Sequence, residues 1–191
     1  MPWFIEMKKK NTSRALVCAV LGLLCAEAVT LSWLESLIPV STILPPGAKL
    51  GLSNIVTMFT AASMGLESAL MVAFIKSAFV GLLRGPSAFF MSVAGGMLSA
   101  LCVYLLLRFK RSKFGYVGIS VASAVVHNAA QLAVACIISG SNLFLSYAPV
   151  LLLLGTVSGV ATGVLFKVLM PALQKQISIF LKNRSFEPFN K

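Results

Sequence analysis

Pro45-Pro46-Gly47-Ala48-Lys49-Leu50-Gly51-Leu52-Ser53-Asn54 sets a proline-stiffened, charged connector between two long apolar runs. Read that way, it makes the chain a series of membrane-crossing segments joined by short polar turns. Pro45 and Pro46 restrict the backbone, Gly47 and Gly51 let it turn tightly or approach a ligand, and Lys49 and Asn54 supply hydrogen-bond donors. Two readings stand for the connector: a functional loop over a site, or a rigid hairpin whose lysine snorkels to lipid headgroups.

Outward from this stretch the composition is that of an integral membrane protein. Of 191 residues, 58% are hydrophobic and 11% charged, and the mean hydropathy is +0.93. A helix crosses the hydrocarbon with roughly 20 apolar residues, and polar or Gly/Pro punctuation divides the apolar sequence into six runs. The expected fold is all-α, a polytopic six-transmembrane-helix bundle with spans at 14–38, 50–65, 67–84, 86–107, 114–139 and 143–170. The second run is short and contains Ser53, Asn54 and Thr57. A tilted, broken or re-entrant helix is expected there, as is tolerated where backbone lines a protected cavity. Residues 1–13 form a basic N-terminus, 14–170 the transmembrane domain and 171–191 an amphipathic basic tail.

Lysines and arginines that flank spans set their orientation. Lys8, Lys9, Lys10 and Arg14 precede the first span, Arg108, Lys110, Arg111 and Lys113 join the fourth to the fifth, and Lys175, Lys182 and Arg184 follow the sixth. With these clusters in the cytoplasm, both termini lie inside, and the outer loops hold Lys49, Arg84 and the uncharged Ser139-Gly140-Ser141-Asn142. The net charge of +11 is mostly this topological signal. Because the cations follow the topology and lack interleaved aromatics, no nucleic-acid partner is expected. The N-terminus has no small-residue cleavage site after a short apolar core, so the first span is expected to be retained. After Pro171, Leu173, Ile177, Phe180 and Leu181 share one helical face, which suits an interfacial helix on anionic lipid.

Polar groups inside a bilayer are costly and usually face a cavity or a partner, so their positions map a candidate site. With the orientation above, Glu35, Asn54, Lys76, Arg84, Ser87, Ser92, Asn128 and Gln131 share the outer half of the membrane. His127, Asn128 and Gln131 project from about one helical face, as a cavity wall or as satisfied packing residues. Glu27 and Glu35 repeat the spacing of Lys76 and Arg84, about 12 Å along a helix. Two ion pairs, Glu27–Lys76 and Glu35–Arg84, are therefore open alternatives to ligand contacts. Counting these four with Lys49 leaves one excess positive charge, which favours an anionic or electron-rich ligand.

Small residues mark other surfaces. Ala15, Ala19, Gly22 and Ala26 make a smooth stripe on the first span, for internal packing or for docking a partner subunit, while Gly155, Gly159, Gly163 and the Gly95-Gly96 pair are expected to serve packing. Cys18, Cys25, Cys102 and Cys136 all fall inside spans without metal-ligand spacing, so no metal or cofactor site is expected. Catalysis has little to rest on. The chain contains no aspartate, no GxxxxGK[ST] loop and no nucleophile-elbow motif, and His127 has no Cys or Asp near it in sequence.

The run Pro46-Gly47-Ala48-Lys49-Leu50-Gly51-Leu52-Ser53-Asn54-Ile55-Val56, with Ser92-Val93-Ala94-Gly95-Gly96 and Val126-His127-Asn128-Ala129-Ala130-Gln131, resembles a small membrane family. That family carries two labels, Gx transporter and heptaprenyl diphosphate synthase component I, and the resemblance spans about residues 14–170. The family in turn resembles the substrate-binding S components of energy-coupling factor (ECF) vitamin transporters. The resemblance implies a six-helix bundle in the bacterial cytoplasmic membrane, with an outward-opening pocket beneath the loop between its first two helices. It also implies docking to a coupling subunit through an AxxxA-like surface, which Ala15-Leu16-Val17-Cys18-Ala19 matches. Without aspartate, the chain cannot alone be a magnesium-dependent prenyl synthase of the Asp-rich kind. The expected function is capture of a small vitamin-like or isoprenoid-related molecule, energised by separate ATPase and coupling subunits. Glu35, Lys49, Asn54, Lys76, Arg84, Ser92, His127, Asn128 and Gln131 would line the site. The alternative is a non-catalytic membrane subunit of heptaprenyl diphosphate or quinone biosynthesis, or of membrane electron transfer.

Overall fold

The computed structural model describes residues 14–37, 51–108, 115–141 and 146–180. They form six helices: α1 (Arg14–Leu37), α2 (Leu52–Ser63), α3 (Leu66–Arg84), α4 (Pro86–Arg108), α5 (Tyr116–Ser139) and α6 (Ala148–Phe180). Five of these, all but α2, are long and apolar enough to cross a membrane. Their outward faces are apolar, with Leu82, Ile137, Leu153 and Val168 mostly exposed, while serines, threonines, Lys76, Glu35 and His127 are buried. Such an inversion suits a chain whose outer solvent is lipid.

The six expected spans therefore become five spanning-length helices and one short one. At about 1.5 Å per residue, the 12 residues of α2 reach roughly 18 Å, well short of the ~30 Å hydrocarbon core. Its shortness goes with complete enclosure, since every residue from Ile55 to Ser63 is buried. It packs against α1, α3, α4 and α6. Two of the hydroxyls it carries inward bond back to its own backbone: Thr60 Oγ1 donates to the Val56 carbonyl at 2.8 Å and Ser63 Oγ to the Phe59 carbonyl at 2.7 Å. Around it, Phe59, Val72, Val103 and Phe166 form the apolar core, with Tyr116 edge-on to Phe166 at 5.2 Å.

Helices α3 to α6 pack as successive neighbours. The glycine stripe of α6 lets α5 come close: a Cβ at Gly159 would lie 2.7 Å from Val121 Cα, and one at Gly163 2.7 Å from Val117 Cα. The stripe on α1 differs. Ala15, Ala19, Gly22 and Ala26 are all exposed, and nothing lies within 4 Å of a Cβ built on Gly22. At the far end α6 continues through Pro171 to Phe180. The tail helix expected after Pro171 is thus, as far as Phe180, an extension of the last span.

Candidate functional site

The start of α2 organises the site. Gly51 precedes it with φ 79°, a left-handed conformation that L side chains rarely adopt, and so turns the chain into the helix. No side chain of α2's own caps its first turn. The cap comes from α1 instead: the Leu52 N–H donates to Glu35 Oε1, and Ser53 Oγ stands 3.5 Å from Oε2. A carboxylate at a helix N-terminus meets unpaired N–H groups and the positive end of the helix dipole. Within the same turn, Asn54 Oδ1 accepts a hydrogen bond from Lys76 Nζ of α3 at 2.9 Å. The first turn of α2 is thereby held by a buried anion from one neighbour and a buried cation from another, 7% and 3% exposed.

These groups border a narrow cavity whose remaining wall comes from α4, α5 and α6. Ser92 contributes from α4, Ser120, Ser123, His127 and Asn128 from α5, and Ser158 and Thr162 from α6. Among the described residues, Ile55, Met58 and Ala124 are the apolar side chains in this lining. The space that the centre of a water molecule can occupy is about 20 Å³, enough for about one water. Hydrogen bonds between the helices fix the wall. Ser77 Oγ donates to Ser92 Oγ at 3.0 Å, Ser120 Oγ and Thr162 Oγ1 share one at 2.9 Å, and Asn128 Nδ2 donates to the Leu151 carbonyl at 3.0 Å. His127 Nδ1 stands 3.5 Å from Ser99 Oγ, under Gly95, where a Cβ would come within 2.9 Å of the ring.

Depth follows from the helical rise. Measured from the end of the bundle where α3 passes into α4, Ser92 lies roughly 9 Å in and Lys76 roughly 12 Å. From the same end, His127 lies roughly 18 Å and Thr162 roughly 21 Å in. By the same measure Ser120 lies roughly 28 Å in, so the lining runs through most of the length of α5, and the start of α2 borders it.

Of the nine residues expected to line a site, Glu35, Asn54, Lys76, Ser92, His127 and Asn128 meet at this cavity. Gln131 is buried one turn beyond His127, packed over Gly95, and is not among the lining residues. Arg84 stands exposed at the end of α3. The outer ion pair that the spacing allowed is therefore replaced by the bond from Glu35 to α2. Lys49, with the Pro45–Leu50 stretch, lies outside the described residues. Sequence reasoning missed Ser53, Ser120, Ser123, Ser158 and Thr162. A signal existed in the spacing Ser120, Ser123, His127, which extends the polar face of α5 by two turns.

Fold and cavity together define a multi-pass helical membrane protein with a polar site enclosed among its helices. Residues 24–169 match the model of the family described as heptaprenyl diphosphate synthase component I, and the chain belongs to that family. No curated protein and no solved structure matches the chain.

Proposed function

We propose that this protein is the substrate-capture subunit of an uptake system for a small molecule, energised by separate ATPase and coupling subunits of the ECF type. The observation that carries the reading is the buried cavity at the start of α2, where Lys76, Glu35, Asn54 and His127 converge in an otherwise apolar bundle. Ionisable groups at such depth are costly and mark substrate pathways. A short helix whose N-terminus lies at a polar cavity is also an arrangement that transporters use for binding.

Both termini and the basic Arg108–Lys113 loop lie in the cytoplasm of a bacterial cell, and the cavity opens outward. Lys76, Asn54, His127 and Asn128 hold the ligand, and Lys49, outside the described residues, is a further contact to it. Arg84 and Gln131 act at a distance, through potential and packing. The exposed Ala15, Ala19, Gly22 and Ala26 stripe docks the coupling subunit. Purification in a gentle detergent with mass spectrometry of the eluate tests this reading. A bound small molecule together with ATPase and coupling subunits is expected.

The family description favours a second reading, a membrane component of a prenyl diphosphate synthase. On that reading a soluble synthase subunit copurifies and no small molecule does. Since the chain contains no aspartate, the Asp-rich magnesium site of such an enzyme would lie wholly in the partner.

A further inference from the structure

If the cavity is a capture site, its wall narrows what it captures. Six hydroxyls, two carboxamides, an imidazole, an ammonium and a carboxylate line it. No phenylalanine, tyrosine or tryptophan lines it among the described residues. Flat ring systems are held by stacking on aromatic faces and prenyl chains by continuous apolar walls. Ile55, Met58 and Ala124 provide neither.

The charges narrow it further. Glu35 and Lys76 are of opposite sign, are both almost wholly buried, and both bond to the first turn of α2. Among the described lining residues they are the one carboxylate and the one ammonium, and their formal charges cancel. A ligand of net charge would leave one of this pair without an opposite partner in a low-dielectric interior, whereas a ligand bearing both charges gives each of them one. The free space is about that of one water, so each added atom requires the helices to part further, which favours a compact solute. We propose that the ligand is a small zwitterion of the α-amino-acid kind, its carboxylate directed to Lys76 and its ammonium to Glu35, without an aromatic ring or a prenyl chain.

The test is equilibrium dialysis of the full chain in lipid nanodiscs against an equimolar mixture of the α-amino acids, riboflavin, thiamine and geranyl diphosphate, read by mass spectrometry. Enrichment of one or more small amino acids on the protein side is expected. Their methyl esters and decarboxylated amines, each lacking one charge, should bind about tenfold more weakly or worse. This comparison needs no variant that risks misfolding, and Lys76→Met should reproduce the carboxylate half of it. Enrichment of riboflavin, thiamine or geranyl diphosphate instead would overturn the zwitterion while leaving the capture reading intact. Equal binding of the esters and amines would overturn it too. Enrichment of nothing would count against both.

Discussion

Glu35 caps α2 from another helix, and its replacement separates charge from hydrogen bonding. In Glu35→Ala the half-buried Leu52 N–H loses its acceptor, which costs about 1 kcal/mol or more. Gln keeps an acceptor oxygen and loses only the charge. Thermal unfolding in detergent should therefore rank wild type above Glu35→Gln, and Glu35→Ala lowest. Lys76 contributes differently, as a donor to Asn54 on the cavity wall. Lys76→Met keeps the length and apolar stem of the side chain, so the expected outcome is a folded protein with weakened ligand binding, checked by circular dichroism beside dialysis. Asn128 combines both roles. Its amide bonds to the Leu151 carbonyl and lies against Gly155, so part of any effect of Asn128→Ala is a loosened contact between α5 and α6.

Between elements, the two small-residue stripes make opposite predictions. Gly159→Leu drives a side chain into the backbone of α5, and overpacking of that kind costs about 1–3 kcal/mol, so the melting temperature should fall. Gly22→Leu meets open space, so the isolated chain should melt as before while copurification of a coupling subunit is lost. The sequence makes the two stripes look alike, because helical spacing reveals a smooth face but not what covers it. Spans α3 and α4 could be read to within a residue or two from their Gly and Pro punctuation at Gly65 and Gly85-Pro86. The termination of α6 could not, since Pro171 lacks only one donor and the helix continues past it. His127, Asn128 and Lys76 stood out because they are rare in apolar helices. The lining serines did not, since hydroxyls are commonly hidden in membrane helices by bonds to carbonyls a turn back, as Thr162 Oγ1 is to the Ser158 carbonyl at 2.8 Å. The bond from Glu35 to Leu52 was illegible for a further reason: it depends on where α1 ends relative to α2.

For the whole molecule, α2 decides the topology although it is too short to cross alone. Its start is tied to the end of α1, and its third residue, Asn54, reaches Lys76 well up α3. On the proposed topology the chain ascends in α1, descends in α2 and ascends again in α3, α4 to α6 follow in alternation, and both ends come to one face. Reporter fusions at the two termini should report the same cytoplasmic location, and opposite locations would contradict this path.

The central claim is that the cavity at the start of α2 holds the captured molecule. Native mass spectrometry of the intact chain released from nanodiscs tests it most directly, with Lys49→Ala and Asn128→Ala beside the wild type. The account predicts a small-molecule adduct on the wild type that is depleted in both folded variants. A bare wild-type mass, or an adduct undiminished in both variants, would contradict it.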